Sequence, residues 1–204
     1  MLTLNALLAG GYTDEALAFS GAVFRATAGQ PQQAQIMYGI AGERRLEEYE
    51  LDWLPGYEGS RPVRVGNAAA GQFQLDVYGE VVGVGWAVAM ARGQFPEPLW
   101  RQVRQLLDYL ESVWQKPDDG MWEARGTRRH YTQSKVMAWL AFDRAIALSK
   151  RFGLEAPVQR WKRIRGQIRD EILDSAMRSS IGPTTRSATP SRNPMAPRRW
   201  TPAR

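Results

Sequence analysis

Apolar residues recur at three- and four-residue intervals along most of this chain as far as Leu173, and that period predicts helices. Leu2, Leu4, Leu7 and Leu8 open a helical stretch over residues 2 to 28. Gly10 and Gly11 interrupt it, and Asp14 reads as the N-cap of EALAFSGAVFRAT. Helical character returns over Asn67 to Arg92, where Leu75, Tyr78, Val82 and Trp86 share a face. Gly79, Gly83 and Gly85 weaken that helix by about 1 kcal/mol each relative to Ala, yet allow another helix to approach closely. The segment PLWRQVRQLLDYLESVWQK has one stripe, made by Leu99, Val103, Leu106, Leu107, Leu110, Val113 and Trp114, with Pro98 in the first turn. A helix from Thr132 to about Phe152 follows, with Val136, Trp139, Leu140 and Ala147 among its apolar positions and Gly153 as its stop. The last periodic stretch runs from Pro157 to about Leu173 through Trp161, Ile164, Ile168 and Ile172.

Residues 29 to 66 break the pattern. They carry Gly29, Pro31, Gly39, Gly42, Pro55, Gly56, Gly59, Pro62 and Gly66, with short strand-like pieces at Ala34 to Tyr38 and Arg61 to Val65. An irregular stretch of this length inside a compact domain is usually functional. After Asp174 the period vanishes, acids disappear, and Pro, Arg and Ser dominate, so residues 175 to 204 read as a disordered basic tail beside a domain at 1 to 174. Two origins for that tail are expected: a reading frame lost near residue 175, or a basic tail for an anionic partner.

Charge changes the picture less than its total suggests. The net charge is +6, but six Arg lie from Arg178 onward. Taking these six from the 27 basic residues leaves 21, equal to the 21 acidic ones. A nucleic-acid binder would carry its basic face on the folded body, so no nucleic-acid partner is expected. Cysteine is absent and His130 is the single histidine, which excludes disulfides, cysteine nucleophiles and multi-histidine metal sites. Neither a metal nor a cofactor is expected. No apolar run approaches a membrane span and the first residues lack the features of a secretory signal, so no membrane partner and a cytoplasmic location are expected.

The chemistry concentrates in PDDGMWEARG, Pro117 to Gly126. An indole offers a flat apolar shelf for a sugar ring. A carboxyl partly dried beside such a shelf holds its proton more tightly and can donate it near neutral pH. Trp122 and Glu123 fit that pairing; the plainer alternative is a helix start with a packed indole and a solvated carboxylate. Arg125 either steadies Glu123 or binds a hydroxyl. In GNAAAGQFQLD the amides of Asn67, Gln72 and Gln74 suit sugar hydroxyls, and a capped helix start would explain the same letters. Asp118 and Asp119 read as turn residues. Asp76 and Glu80 share a helix face, either solvated or orienting a polar neighbour. Arg61 and Arg64 are expected to brace the irregular loop, with direct ligand contact as the alternative; His130 is expected to make a structural hydrogen bond, with catalysis as the alternative; and Trp139 and Trp161 are expected in the core.

PDDGMWEARG, then RRHYTQSKVMAWLAFDRAIAL, and upstream YELDWLPGYEGSRPVRVGNAAAGQFQLDVYGEV, together resemble bacterial members of glycoside hydrolase family 15, the glucoamylase-like and trehalase-like enzymes. The resemblance covers roughly residues 1 to 174. It implies an all-α fold, part of an (α/α)6 barrel with the irregular loop on its rim, and inverting hydrolysis of an α-linked glucoside such as trehalose or a malto-oligosaccharide. Glu123 falls on the family's general acid. Met121 and Trp122 fall where backbone and indole meet glucose. The family's general base and its Trp-x-Arg-Asp sugar-binding motif have no match in this sequence. Some five helices stand where the complete barrel has twelve, so a complementing polypeptide is an expected partner. The alternative is a non-catalytic α-glucoside-binding or scaffold remnant.

Overall fold

The computed structural model describes residues 2–123 and 126–180. Among them six α-helices dominate: α1 (Leu2–Ala9), α2 (Thr13–Ala26), α3 (Asp76–Arg92), α4 (Glu97–Val113), α5 (Thr132–Phe152) and α6 (Val158–Ser180). The fold is all-α and forms part of a helical, barrel-like layer, as expected. Strand structure among these residues is confined to β1 (Tyr49–Glu50) and β2 (Arg64–Val65), paired antiparallel with Tyr49 opposite Val65. Both lie in the irregular stretch, which also holds short 3-10 turns at Pro31–Gln33 and Tyr57–Gly59.

α5 is the middle of the packing. It lies along α3 on one side and α6 on the other, while α1 and α2 cover α3 from a further side. The closeness of α3 and α5 has a specific cause. A Cβ on Gly79 would collide with the carbonyl oxygen of Met137 on α5, so glycine lets the two backbones meet there. α3 is enclosed, burying Tyr78, Val81, Val82, Val84, Val88 and Ala89. The expected stripe of α4 is the observed one, with Val103, Leu107 and Leu110 fully buried and Trp100 added to it. Trp100 packs edge-on against Trp161 of α6, ring centroids 5.8 Å apart, and its indole N–H donates to the Glu155 carbonyl at 2.9 Å.

Five expectations about elements need correction. The N-cap of α2 is Tyr12, and Asp14 sits inside the first turn, where its charge still favours the helix's positive end. Ala34–Tyr38 forms no strand; the partner of β2 is β1. The stretch from Asn67 to Arg92 is two elements, a 3-10 turn at Ala68–Gly71 capped by Asn67 and then α3. On α5, Val136 is exposed and Trp139, Leu140 and Ala147 lie at the flank, because the buried face belongs to Ala138, Ala141, Phe142, Ala145 and Ile146. α6 runs to Ser180, through the boundary expected at 174/175. The tail reading for residues 181–204 lies outside the described residues. No helix among the described residues is long and apolar enough to cross a membrane.

Candidate functional site

The turn Pro117 to Gly120 ends α4's extension and begins a loop whose neck is closed by backbone bonds. Asp118 N–H donates to Arg129 O and Arg129 N–H to Asp118 O, both at 2.9 Å. Gly120 has φ of +69°, and a Cβ there would press into the Tyr131 ring, so this turn needs glycine. The two aspartates do more than turn the chain. Asp118 is buried, and its Oδ2 accepts the N–H of Leu75, the N-cap residue of α3, at 3.0 Å. Asp119 Oδ2 accepts Phe73 N–H at 2.7 Å and the Arg128 guanidinium at 3.1 Å, and Asp119 N–H donates back to Phe73 O at 2.9 Å. The loop is thereby tied to the segment leading into α3. These ties bridge 43 and 46 residues of sequence, and no local pattern announces them.

Glu123 emerges from this tethered loop with φ of +52°, a left-handed conformation that L-residues avoid. Strain of this kind persists where surrounding structure holds it, and functional sites are common places for it. Its carboxylate is exposed and its Oε2 accepts from Asn67 Nδ2 at 3.3 Å. The expected drying of the carboxyl by the neighbouring indole is not present. Trp122 is 81% exposed and stands outside the walls of the hollows that Glu123 lines. That exposure removes the packed-indole alternative and leaves the ring open at the rim.

Glu123 borders two hollows. The larger has a volume of about 560 Å³, and Met121, Gln74, Asp76, Glu80 and Tyr38 share its wall with Glu123. The smaller, about 230 Å³, is bounded by Asn67, Ala68, Ala69, Gln72 and Glu123. Asn67, Gln72, Met121 and Glu123 are therefore brought together, while Arg125 lies outside the described residues. Gln72 Oε1 accepts from Gln74 Nε2 at 2.8 Å, and Gln74 is buried.

Asp76 and Glu80 are not a solvated helix face. Both are half-buried at the cleft wall. Burial raises the Asp76 pKa above the ordinary carboxylate value, and the charges of Asp118 and Glu80 add to the rise. Bonds from its own backbone N–H and the Gln133 side chain oppose it. The irregular loop is braced as expected: Arg64 pairs with Glu50 at 3.0 Å and Glu48 at 3.7 Å. Arg61 lies at a separate hollow along the same hairpin. His130 is exposed before α5, without the expected hydrogen bond among the described residues. Trp161 is fully buried, whereas Trp139 is partly buried with Arg165 over its ring at 5.9 Å. Among the described residues no cluster of three or more His, Cys, Asp or Glu side chains is placed to hold a metal.

Sequence comparison supplies relatives for this arrangement. The chain is 39% identical over 166 residues to a trehalase of Mycobacterium tuberculosis, an alignment covering 81% of this chain and 24% of the relative. It is 37% identical over 184 residues to a trehalase of Thermoplasma acidophilum, covering 90% and 31%, and 42% identical over 140 residues to one of Thermoplasma volcanium, covering 69% and 22%. The chain thus spans about a quarter to a third of the length of these relatives. No solved structure matches it. The family profile described as "Glycosyl hydrolases family 15" matches residues 1–196, beyond the reach of the resemblance read from the motifs. This chain belongs to glycosyl hydrolase family 15.

Proposed function

We propose that this chain carries the general-acid part of an inverting α-glucoside hydrolase, with trehalose as the favoured substrate. The observation that carries the reading is the Glu123 carboxylate, exposed at the lip of two adjoining hollows, one oxygen held by an amide. The trehalase names of the relatives support the choice of substrate. In such a reaction Glu123 gives its proton to the bridging oxygen as the C1–O bond breaks. A second carboxylate, roughly 6.5–9.5 Å away, activates water on the opposite face of the sugar. The family resemblance assigns that base to a glutamate with no match in this sequence, so catalysis requires it from further polypeptide.

The test is complementation. The chain is combined with the portion of the M. tuberculosis trehalase that it does not match, and glucose release from α,α-trehalose and maltose is followed. The expected result is no turnover by the chain alone, turnover by the combination, and a loss on the order of a thousandfold or more with Glu123→Gln. Hydrolysis that survives Glu123→Gln overturns the assignment. Saturable sugar binding that quenches tryptophan fluorescence without turnover in any combination supports the non-catalytic reading instead.

A further inference from the structure

Asn67 makes four well-defined bonds at the edge of the smaller hollow. Its backbone N–H donates to Leu46 O at 2.9 Å, and its carbonyl accepts Ala70 N–H at 3.0 Å. Its side-chain Oδ1 accepts Ala69 N–H at 2.9 Å, and its Nδ2 donates to Glu123 Oε2 at 3.3 Å. The third bond decides the orientation of the amide. A backbone N–H only donates, so the oxygen must face Ala69, and the nitrogen is left to face the carboxyl.

We propose that Asn67 is a positioning residue that assigns the transferable proton to Oε1 of Glu123. This rests on the reading of Glu123 as general acid. An amide N–H facing Oε2 makes that oxygen the acceptor, the carbonyl-type atom of the neutral acid. The proton then sits on Oε1. As the glycosidic oxygen takes that proton, the C1–O electron pair stays with the leaving sugar, and the negative charge left on the carboxylate is shared with the Asn67 N–H. Among the described residues, the ionisable groups that share a wall with Glu123 or Asn67 are Asp76 and Glu80 in the larger hollow, and Arg44, Arg45, Glu47 and Glu48, the last accepting from Ala68 N–H at 3.4 Å. Arg44 donates to the carbonyls of Ala26 and Gln33 and Arg45 to Glu47, so the donors shown for these two guanidinium groups are engaged elsewhere than at Glu123.

The variants separate positioning from capping. Asn67→Asp keeps an oxygen for Ala69 N–H and loses the donor to Glu123; Asn67→Ala loses both. In the ¹⁵N-labelled chain, the Asn67 side-chain amide resonances are expected to move with pH as Glu123 ionises, and to stop moving in Glu123→Gln. Asn67→Asp is expected to keep the melting temperature, while Asn67→Ala lowers it. In the complemented hydrolase, Asn67→Asp is expected to cut kcat on the order of tenfold to a hundredfold with KM within threefold. Amide resonances indifferent to pH, or moving equally in Glu123→Gln, overturn the proposal. So does wild-type kcat in Asn67→Asp. The resonance readout needs no turnover, so an absent hydrolase activity with intact coupling would sink the functional reading and leave the contact standing.

Discussion

Asp76 is the residue whose environment speaks most directly to measurement. Its folded-state proton affinity is raised, chiefly by burial. The folded state therefore binds this proton more tightly than the unfolded chain does. The stability it contributes is fully present below the ordinary aspartate range and is lost as pH rises through the raised value. Asp76→Asn, which keeps the shape and cannot ionise, is expected to be neutral or stabilising at pH 7 and to flatten the fall in stability above about pH 4. Urea melts at closely spaced pH values check this; a variant less stable than the parent at pH 7 and equal to it at pH 3 refutes it. Asp118 predicts the opposite sign on truncation. It is buried and receives a backbone N–H at the start of α3, so Asp118→Ala is expected to cost about 1–3 kcal/mol in chemical denaturation.

At the scale of elements, packing distance decides matters that hydrophobicity leaves open. Gly79→Ala places a methyl against the α5 backbone, and neither helix can yield without moving the core between them. The expected cost is about 1–3 kcal/mol, read as a lowered melting temperature, although alanine is the better helix former. Unchanged or raised stability would show that the helices stand further apart. α5 teaches the same lesson. Its larger apolar residues, Val136, Trp139 and Leu140, marked the wrong side in sequence because the buried side is built from Ala138, Ala141 and Ala145 beside Phe142 and Ile146. Small residues carry little hydrophobic signal, yet they are what close helix contact demands. α4 was legible because its contacts are made by large side chains in a regular stripe. Lys135 was not legible at all. It lies buried on α5, donating to Trp114 O at 2.5 Å and pairing with Glu171 of α6 at 3.2 Å, so it joins three helices. Lys135→Ala is expected to cost about 2–4 kcal/mol, since it leaves the carbonyl of Trp114, the C-cap residue of α4, and the Glu171 carboxylate without their cation. A loss below 0.5 kcal/mol in a denaturant titration would argue against that role.

Across the whole molecule, the fold class was readable from the sequence, while the way the 117–120 turn is held was not. The Trp122-Glu123 pair stood out because indole and carboxyl are adjacent in sequence. Their exposure, and the partnership of Glu123 with Asn67, follow from contacts across 56 residues that no spacing rule encodes. The same holds for the cleft wall, where the groups acting on Asp76 include Asp118 and Gln133, both distant in sequence.

The paired aspartates Asp118 and Asp119 have a consequence for protein engineering. Their bonds join Phe73 and Leu75 to the 117–120 turn and to Arg128 and Arg129, so segments far apart along the chain act as one mechanical part. A chimera that imports only the second segment from a relative would install Glu123 on a foreign mounting. Grafts that move both segments together should retain the lip geometry, so family shuffling ought to cut outside this pair rather than between its halves.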